Sequence, residues 1–238
     1  MFAFMLVKAF LQLSGIISLV KIKKASMYKH PNIDRDKIDP QQALDILIEG
    51  NHRFANNLIG TKDMQSLVEI TKNKQHPFAS FLSCSDSRAP VELLFDQALG
   101  DIFSVRLAGN IASDKCIGSL EFSSKYLGSK LIVVMGHSSC GAVKAACDDF
   151  KDGHIGEIVN MIKPAIRHEK TVLDDRSSNN EAFVAKICEL NVRYQIDQIV
   201  RTSDIIQDMI TAKQIGVVGG VYDLNTGEVK FLQDSFMS

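Results

Sequence analysis

Four short stretches of the chain are mostly apolar without a strict alternation: PFASFLS at 77–83, DIFSVRLAG at 101–109, KLIVVMGH at 130–137 and QIGVVGGVYD at 214–223. A strand with one wet face alternates, so such runs predict strands covered on both faces, as in a parallel sheet. Segments of helical character separate them. In DPQQALDILIEGNHRF (39–54), Asp39 can cap, Pro40 suits a first turn, and Leu44, Leu47 and Ile48 share one face. A second short helix is expected over Met64 to Lys72. SDKCIGSLEFSSKYLG (113–128) ends at a glycine suited to a helix C-terminus, and CGAVKAACDDF (140–150) opens directly from the end of a strand. Phe183, Ile187, Leu190 and Tyr194 step by four, three and four, which predicts a helix over Asn179 to Gln195, and another follows over Ser203 to Ala212. Asn225-Thr226-Gly227 between two strand-like segments signals a hairpin and hence an antiparallel edge strand.

These elements predict an α/β fold: a mainly parallel central sheet of about four parallel strands plus an antiparallel edge strand, flanked by helices. The chain shows no internal repeat or low-complexity linker, and its 238 residues suit one domain over 39–238 after an N-terminal extension over 1–38. Within that extension, MFAFMLVKAFLQLSGIISLVKIKK is interrupted by Lys8 and Gln12, and its longest uncharged run, Ala9 to Val20, is short for a bilayer span. It also lacks the basic lead of a secretory signal, since Lys21, Lys23 and Lys24 follow the apolar run. Phe2, Leu6, Phe10, Leu13, Ile17 and Val20 recur at helical spacing, as in an amphipathic helix lying on a membrane or a partner. The plainer reading is an extension outside the folded domain, with translation beginning at Met27.

Composition narrows the classes of function. With 27 basic and 28 acidic residues the chain has no electrostatic footprint for nucleic acid. Five cysteines, an odd number in a chain of this size, do not fit a disulfide framework and point to metal binding or thiol chemistry with reduced thiols. A cytoplasmic location is expected, the alternative being periplasmic or membrane-associated through residues 1–24.

In open α/β sheets ligands gather beyond the carboxyl ends of the strands, and the cysteines stand there. Cys84 closes one predicted strand within SCSDSR, and GHSSCG puts His137 and Cys140 at the end of another. Two thiols and an imidazole are a donor set for zinc, and three protein ligands leave a tetrahedral ion one position for water. Cys140 would also stand at a helix N-terminus, whose dipole is expected to lower its pKa. Asp86 and Arg88 form either a structural ion pair or a group that acts on the metal site.

CSDSR followed by GHSSCG resembles the paired signature of the β-class carbonic anhydrases, and the similarity runs from about Asp39 to Leu232. The resemblance implies one Zn2+ per subunit on Cys84, His137 and Cys140, and reversible hydration of carbon dioxide to bicarbonate and a proton through zinc-bound hydroxide. It makes Asp86 and Arg88 the catalytic dyad: Arg88 holds Asp86 off the metal, or releases it to become the fourth ligand of a closed site. The subclass resembling the plant enzymes is the nearer match. It implies that Gln75 binds substrate and that Phe103 forms an apolar wall. Phe122 stands where those enzymes usually carry tyrosine, so a pocket hydroxyl is missing or replaced. The family also implies a homodimer or homotetramer with active sites near the interface.

Overall fold

The computed structural model describes residues 34–238, so the amphipathic segment expected over residues 1–24 lies outside the described residues. Among those described, no helix is long and apolar enough to cross a membrane. Helix α1 (Pro40–Ala55) begins in a capping box: the Asp39 carboxylate accepts from the Gln42 N–H at 2.7 Å, and the Gln42 side chain accepts from the Asp39 N–H at 3.0 Å. A cap of this kind is worth about 1 kcal/mol and sets where the helix starts. Helix α2 (Met64–Thr71) follows, and then strand β1 (Ala79–Ser83).

A short helix α3 (Val91–Leu94) leads into β2 (Ile102–Arg106), and α4 (Asp114–Tyr126) leads into β3 (Leu131–His137). Helices α5 (Gly141–Cys147), α6 (Ile155–His168), α7 (Glu181–Thr202) and α8 (Asp204–Thr211) come next, before β4 (Gly216–Tyr222) and β5 (Val229–Met237). The sheet order is β2-β1-β3-β4-β5, parallel except for the β4–β5 pair. The expected hairpin joins β4 to β5, with Gly227 in the left-handed region at φ 78°.

Side-chain alternation along β1 and β3 builds two layers. Ala79, Phe81, Leu131, Val133 and Met135 face the cluster with α1 and α3, while Leu82, Ile132 and Val134 face α4, α7 and α8. A third apolar cluster, from α5, α6 and α7, sits beyond the carboxyl ends of the strands and includes Cys84 and Cys140.

Three features depart from the sequence pattern. Strand β2 is an edge of the sheet, so Ser104 and Arg106 are exposed and Phe103 is only half-buried, where coverage on both faces was expected. Helix α6 has no counterpart among the expected elements, because Gly156 and Pro164 interrupt its pattern. It persists because Val159, Ile162 and Ala165 bury one stripe in the third cluster, and that packing outweighs the one backbone donor lost at Pro164. Helix α7 runs on to Thr202, and its buried stripe passes through Asn191 and Gln195, leaving Leu190 and Tyr194 half-buried.

The loop after α6 is organised by one buried carboxylate. Glu169 accepts from the Thr171 hydroxyl at 2.5 Å, from the Thr171 and Val172 amides, and from Arg176 at 2.7 Å. These partners, Thr171 foremost, outweigh burial and pull its pKa from 4.5 down to about 2. A depressed carboxylate pKa stabilises the fold above the ordinary value and ceases to as pH falls toward the depressed one. Urea unfolding of Glu169→Gln should therefore show a deficit against the parent that is full at neutral pH and shrinks between about pH 4.5 and 2.

Candidate metal centre

Parallel pairing of β1 and β3 brings Ser83 opposite Met135, so the residue after β1, Cys84, emerges beside the last residues of β3, which ends at His137. The order β2-β1-β3 reverses the direction of strand addition between β1 and β3, the place in an open sheet where the loops part and a ligand fits. Cys140 completes the group as the N-cap of α5, with its side chain free of any capping bond. The donor atoms of Cys84, His137 and Cys140 all lie within 4.8 Å of one another, and all three residues are buried. No other group of three metal-ligating side chains gathers in this way among the described residues.

The three side chains fit a tetrahedral cation. The two sulfurs are 3.9 Å apart, far beyond a disulfide and close to the separation of about 3.8 Å that two bonds of about 2.3 Å would give at a tetrahedral zinc. His137 donates from Nδ1 to the Ser138 carbonyl at 2.9 Å, which fixes the tautomer and leaves Nε2 as the free donor atom. Nε2 is buried without a hydrogen-bond partner, a state that costs free energy unless something else uses its lone pair.

Electrostatics favour a positive charge at the same place. The Cys140 S–H bond lowers the Cys84 pKa to about 4 against the effect of burial, with His137 and the Gly109 and Asp86 amides helping. The same contact, followed by burial, raises Cys140 far above the usual thiol range. At Cys140 the Val143 N–H at the start of α5 acts downward, in the expected direction, but the contact with Cys84 and burial outweigh it and the net direction is upward. For His137, burial disfavours the imidazolium, but the adjacent Cys84 sulfur outweighs it and the pKa lies above the ordinary value.

Asp86 and Arg88 are paired. Asp86 Oδ1 accepts from the Arg88 amide at 2.9 Å and from Nε at 3.0 Å, while Oδ2 accepts from an Nη at 2.8 Å. Arg88 holds the carboxyl well below the usual carboxylate range. Asp86 Oδ2 also lies 3.8 Å from His137 Nε2, so the carboxylate borders the donor group without entering it. Arg106, on β2, grips the same turn from outside by donating to the Cys84 carbonyl at 3.1 Å and to the Asp86 carbonyl at 2.5 Å.

Gln75, Phe103 and Phe122 are not gathered with these residues. Gln75 precedes β1 by four residues and is exposed, and Phe103 pairs with Ser80 in the first half of β1. Phe122 is 47% exposed near the end of α4, beside Tyr126. All three stand toward the amino end of the sheet, whereas Cys84, His137 and Cys140 stand at its carboxyl end. A protomer therefore does not line its own centre with them. Two further histidines also lie elsewhere: His154 is exposed at the start of α6, and His76 faces Asp36 before β1.

Sequence reasoning passed over the turn that closes the centre from the β2 side. Gly109 directs its N–H at the Cys84 sulfur at 3.4 Å. Its φ of 71° suits glycine, and a Cβ there would lie 2.7 Å from Ile162 and 3.1 Å from Ala142. The one sequence signal was a glycine following a strand end in RLAGN.

The family model described as Carbonic anhydrase matches residues 79–229, from the start of β1 to the start of β5. A carbonic anhydrase of Mycolicibacterium smegmatis is 33% identical over 199 residues, covering 81% of this chain and 93% of that protein. Carbonic anhydrase 2 of Mycobacterium tuberculosis is likewise 33% identical, with coverage of 79% and 91%. Among solved structures, the Coccomyxa β-carbonic anhydrase in complex with acetazolamide superposes with a TM-score of 0.64 at 29% identity, covering 79% of this chain and 86% of that one. One of the structures of two tetrameric β-carbonic anhydrases from Sordaria macrospora shares the fold, with a TM-score of 0.62 at 24% identity over 80% of this chain and 97% of that one.

Proposed function

The chain belongs to the carbonic anhydrase family, in its β class, and from that membership we propose that it hydrates carbon dioxide reversibly with one zinc ion held by Cys84, His137 and Cys140. The observation that carries the reading is the buried, partnerless Nε2 of His137 facing two free thiols spaced for a tetrahedral ion. Zinc supplies Lewis acidity that draws a water's pKa down, as it does in carbonic anhydrases that hold it with three histidines.

The chain's own residues supply position and charge. His137 is oriented by its Nδ1–H bond to Ser138, and Ser138 is tied to the β4–β5 hairpin through its amide to the Tyr222 carbonyl at 2.8 Å. Cys84 is oriented by the Gly109 N–H. Asp86 stays ionised throughout the neutral range because Arg88 holds it, so it is a weak base there. Its part is to accept a hydrogen bond and so orient a proton-bearing oxygen next to His137, while Arg88 keeps it from becoming a fourth ligand.

Substrate contacts extend the proposal to a second copy of the chain. We assign the protein to the plant-like subclass on Gln75 and Phe103, and infer that these two and Phe122 line the centre of a partner protomer in a homodimer or homotetramer. Their distance from their own centre supports this, as do the outer edge of β2, unpaired among the described residues, and the exposed rings of Phe122 and Tyr126. The five free thiols support a reducing, cytoplasmic setting.

Stopped-flow measurement of carbon dioxide hydration by zinc-loaded protein, with the mass in solution from light scattering, tests the reading. Hydration at zinc-dependent rates by a dimer or larger assembly is expected. Release of sulfide from carbon disulfide without carbon dioxide hydration would replace the substrate, and a stable monomer with full activity would remove the role of the second copy.

A further inference from the structure

Helix α7 carries two side-chain amides through the core. Asn191 and Gln195 are one helical turn apart, and neither exposes any surface to solvent. A buried amide costs free energy unless each polar atom is bonded, and leucines would fill the same space without that demand. Here the polar atoms are used, and what they hold is the turn beside Cys84.

The bonds form one chain. Asn191 Nδ2 donates to the Gly109 carbonyl at 2.9 Å. Gln195 Nε2 donates to Asn191 Oδ1 at 2.9 Å and to the Met161 carbonyl at 3.3 Å, and Gln195 Oε1 accepts from the Ala112 N–H at 2.9 Å. The turn is thus pinned at Gly109 and again at Ala112 from α7. Its entry is pinned from β1, where the Leu107 N–H donates to the Ser83 carbonyl at 3.0 Å. What remains of Gly109 is its N–H, directed at the Cys84 sulfur at 3.4 Å. Gly109 has the widest backbone freedom of any residue type and sits at φ 71°, so without the amide on its carbonyl the two peptide units it joins, one carrying that carbonyl and the other the N–H, have other relative orientations open to them.

We propose that Asn191 and Gln195 are positioning residues of the metal centre: together they hold the Gly109 N–H on the Cys84 sulfur and so preorganise that ligand. The proposal rests on the reading of Cys84, His137 and Cys140 as a zinc site. A hydrogen bond of this kind keeps the sulfur aimed at the ion and draws electron density from it, so it acts on both the affinity of the site and the sulfur-to-metal bond. Helix α7 also packs on α6 in the third apolar cluster, which places the network inside the wall of the centre and out of reach of the substrate.

Zinc affinity, measured by competition with a chromophoric chelator, and the sulfur-to-cobalt absorption of cobalt-loaded protein test this without recourse to activity. Asn191→Leu should weaken zinc binding about ten- to hundredfold and shift the cobalt band. Gln195→Met, which keeps the chain length and loses the polar atoms, should move both readouts in the same direction and decides the matter should Asn191→Leu not fold. Ile199→Val, buried on the same helix but facing the α4 and α8 cluster, serves as the packing control and should leave both readouts unchanged. Folded amide variants with the parent's zinc affinity and cobalt spectrum would overturn the proposal, and so would an equal effect from Ile199→Val. A parent chain that binds no zinc would instead overturn the reading of the site itself.

Discussion

Cys140→Ala is expected to lose stoichiometric zinc and to hydrate carbon dioxide more than a hundredfold more slowly than the parent, since losing even an outer partner of a metal ligand costs about ten- to hundredfold. Two protein donors, Cys84 and His137, remain, and they hold an ion far more weakly than three. Zinc per protomer by elemental analysis and stopped-flow hydration, with melting of both proteins as a check on folding, measure the effect. Unchanged zinc content together with unchanged activity would refute the assignment of Cys140 as a ligand.

Arg88→Ala is expected to slow hydration at neutral pH by about a hundredfold or more, the scale of losing one preorganised hydrogen-bonding group in an active site, while zinc stays bound. The guanidinium makes two of the three hydrogen bonds to Asp86, through Nε and Nη, and only that of the residue 88 backbone amide would remain. The freed carboxylate stands 3.8 Å from His137 Nε2 and is drawn toward the cation those donors hold. Zinc retention therefore separates this variant from Cys140→Ala. Arg88 is largely exposed, so a loss of fold is not expected to account for the result. A variant with parental rates across neutral pH would show that the pair is only a surface ion pair.

The layered α/β fold was legible because burial writes itself into strand and helix periods. The runs at 77–83, 130–137 and 214–223 became β1, β3 and β4, and the turn at Asn225-Thr226-Gly227 became the β4–β5 hairpin. The misreadings share one cause. Apolar character in DIFSVRLAG says nothing about whether a neighbouring strand pairs with it, and β2 proved to be an edge. Helix α6 hid behind Gly156 and Pro164 because its stability comes from what it packs against. The α7 stripe was drawn through Leu190 and Tyr194 because an apolar pattern cannot include Asn191 and Gln195, whose partners lie 82 and 83 positions earlier at Gly109 and Ala112.

By itself the sequence determined the ligand types, their places at strand ends and the family they resemble, since each of these depends on local spacing and residue chemistry. Tertiary structure alone decided the rest. It placed Cys84 3.9 Å from Cys140 across 56 residues, so that the ionisation of each sulfur depends on the other. It also set Asp86 on Arg88 beside the donor group, and put Gln75, Phe103 and Phe122 at the far end of the sheet. The reason is that pKa, metal geometry and access are fixed by distances between groups remote in the chain, and those distances exist only once the sheet has set its strand order.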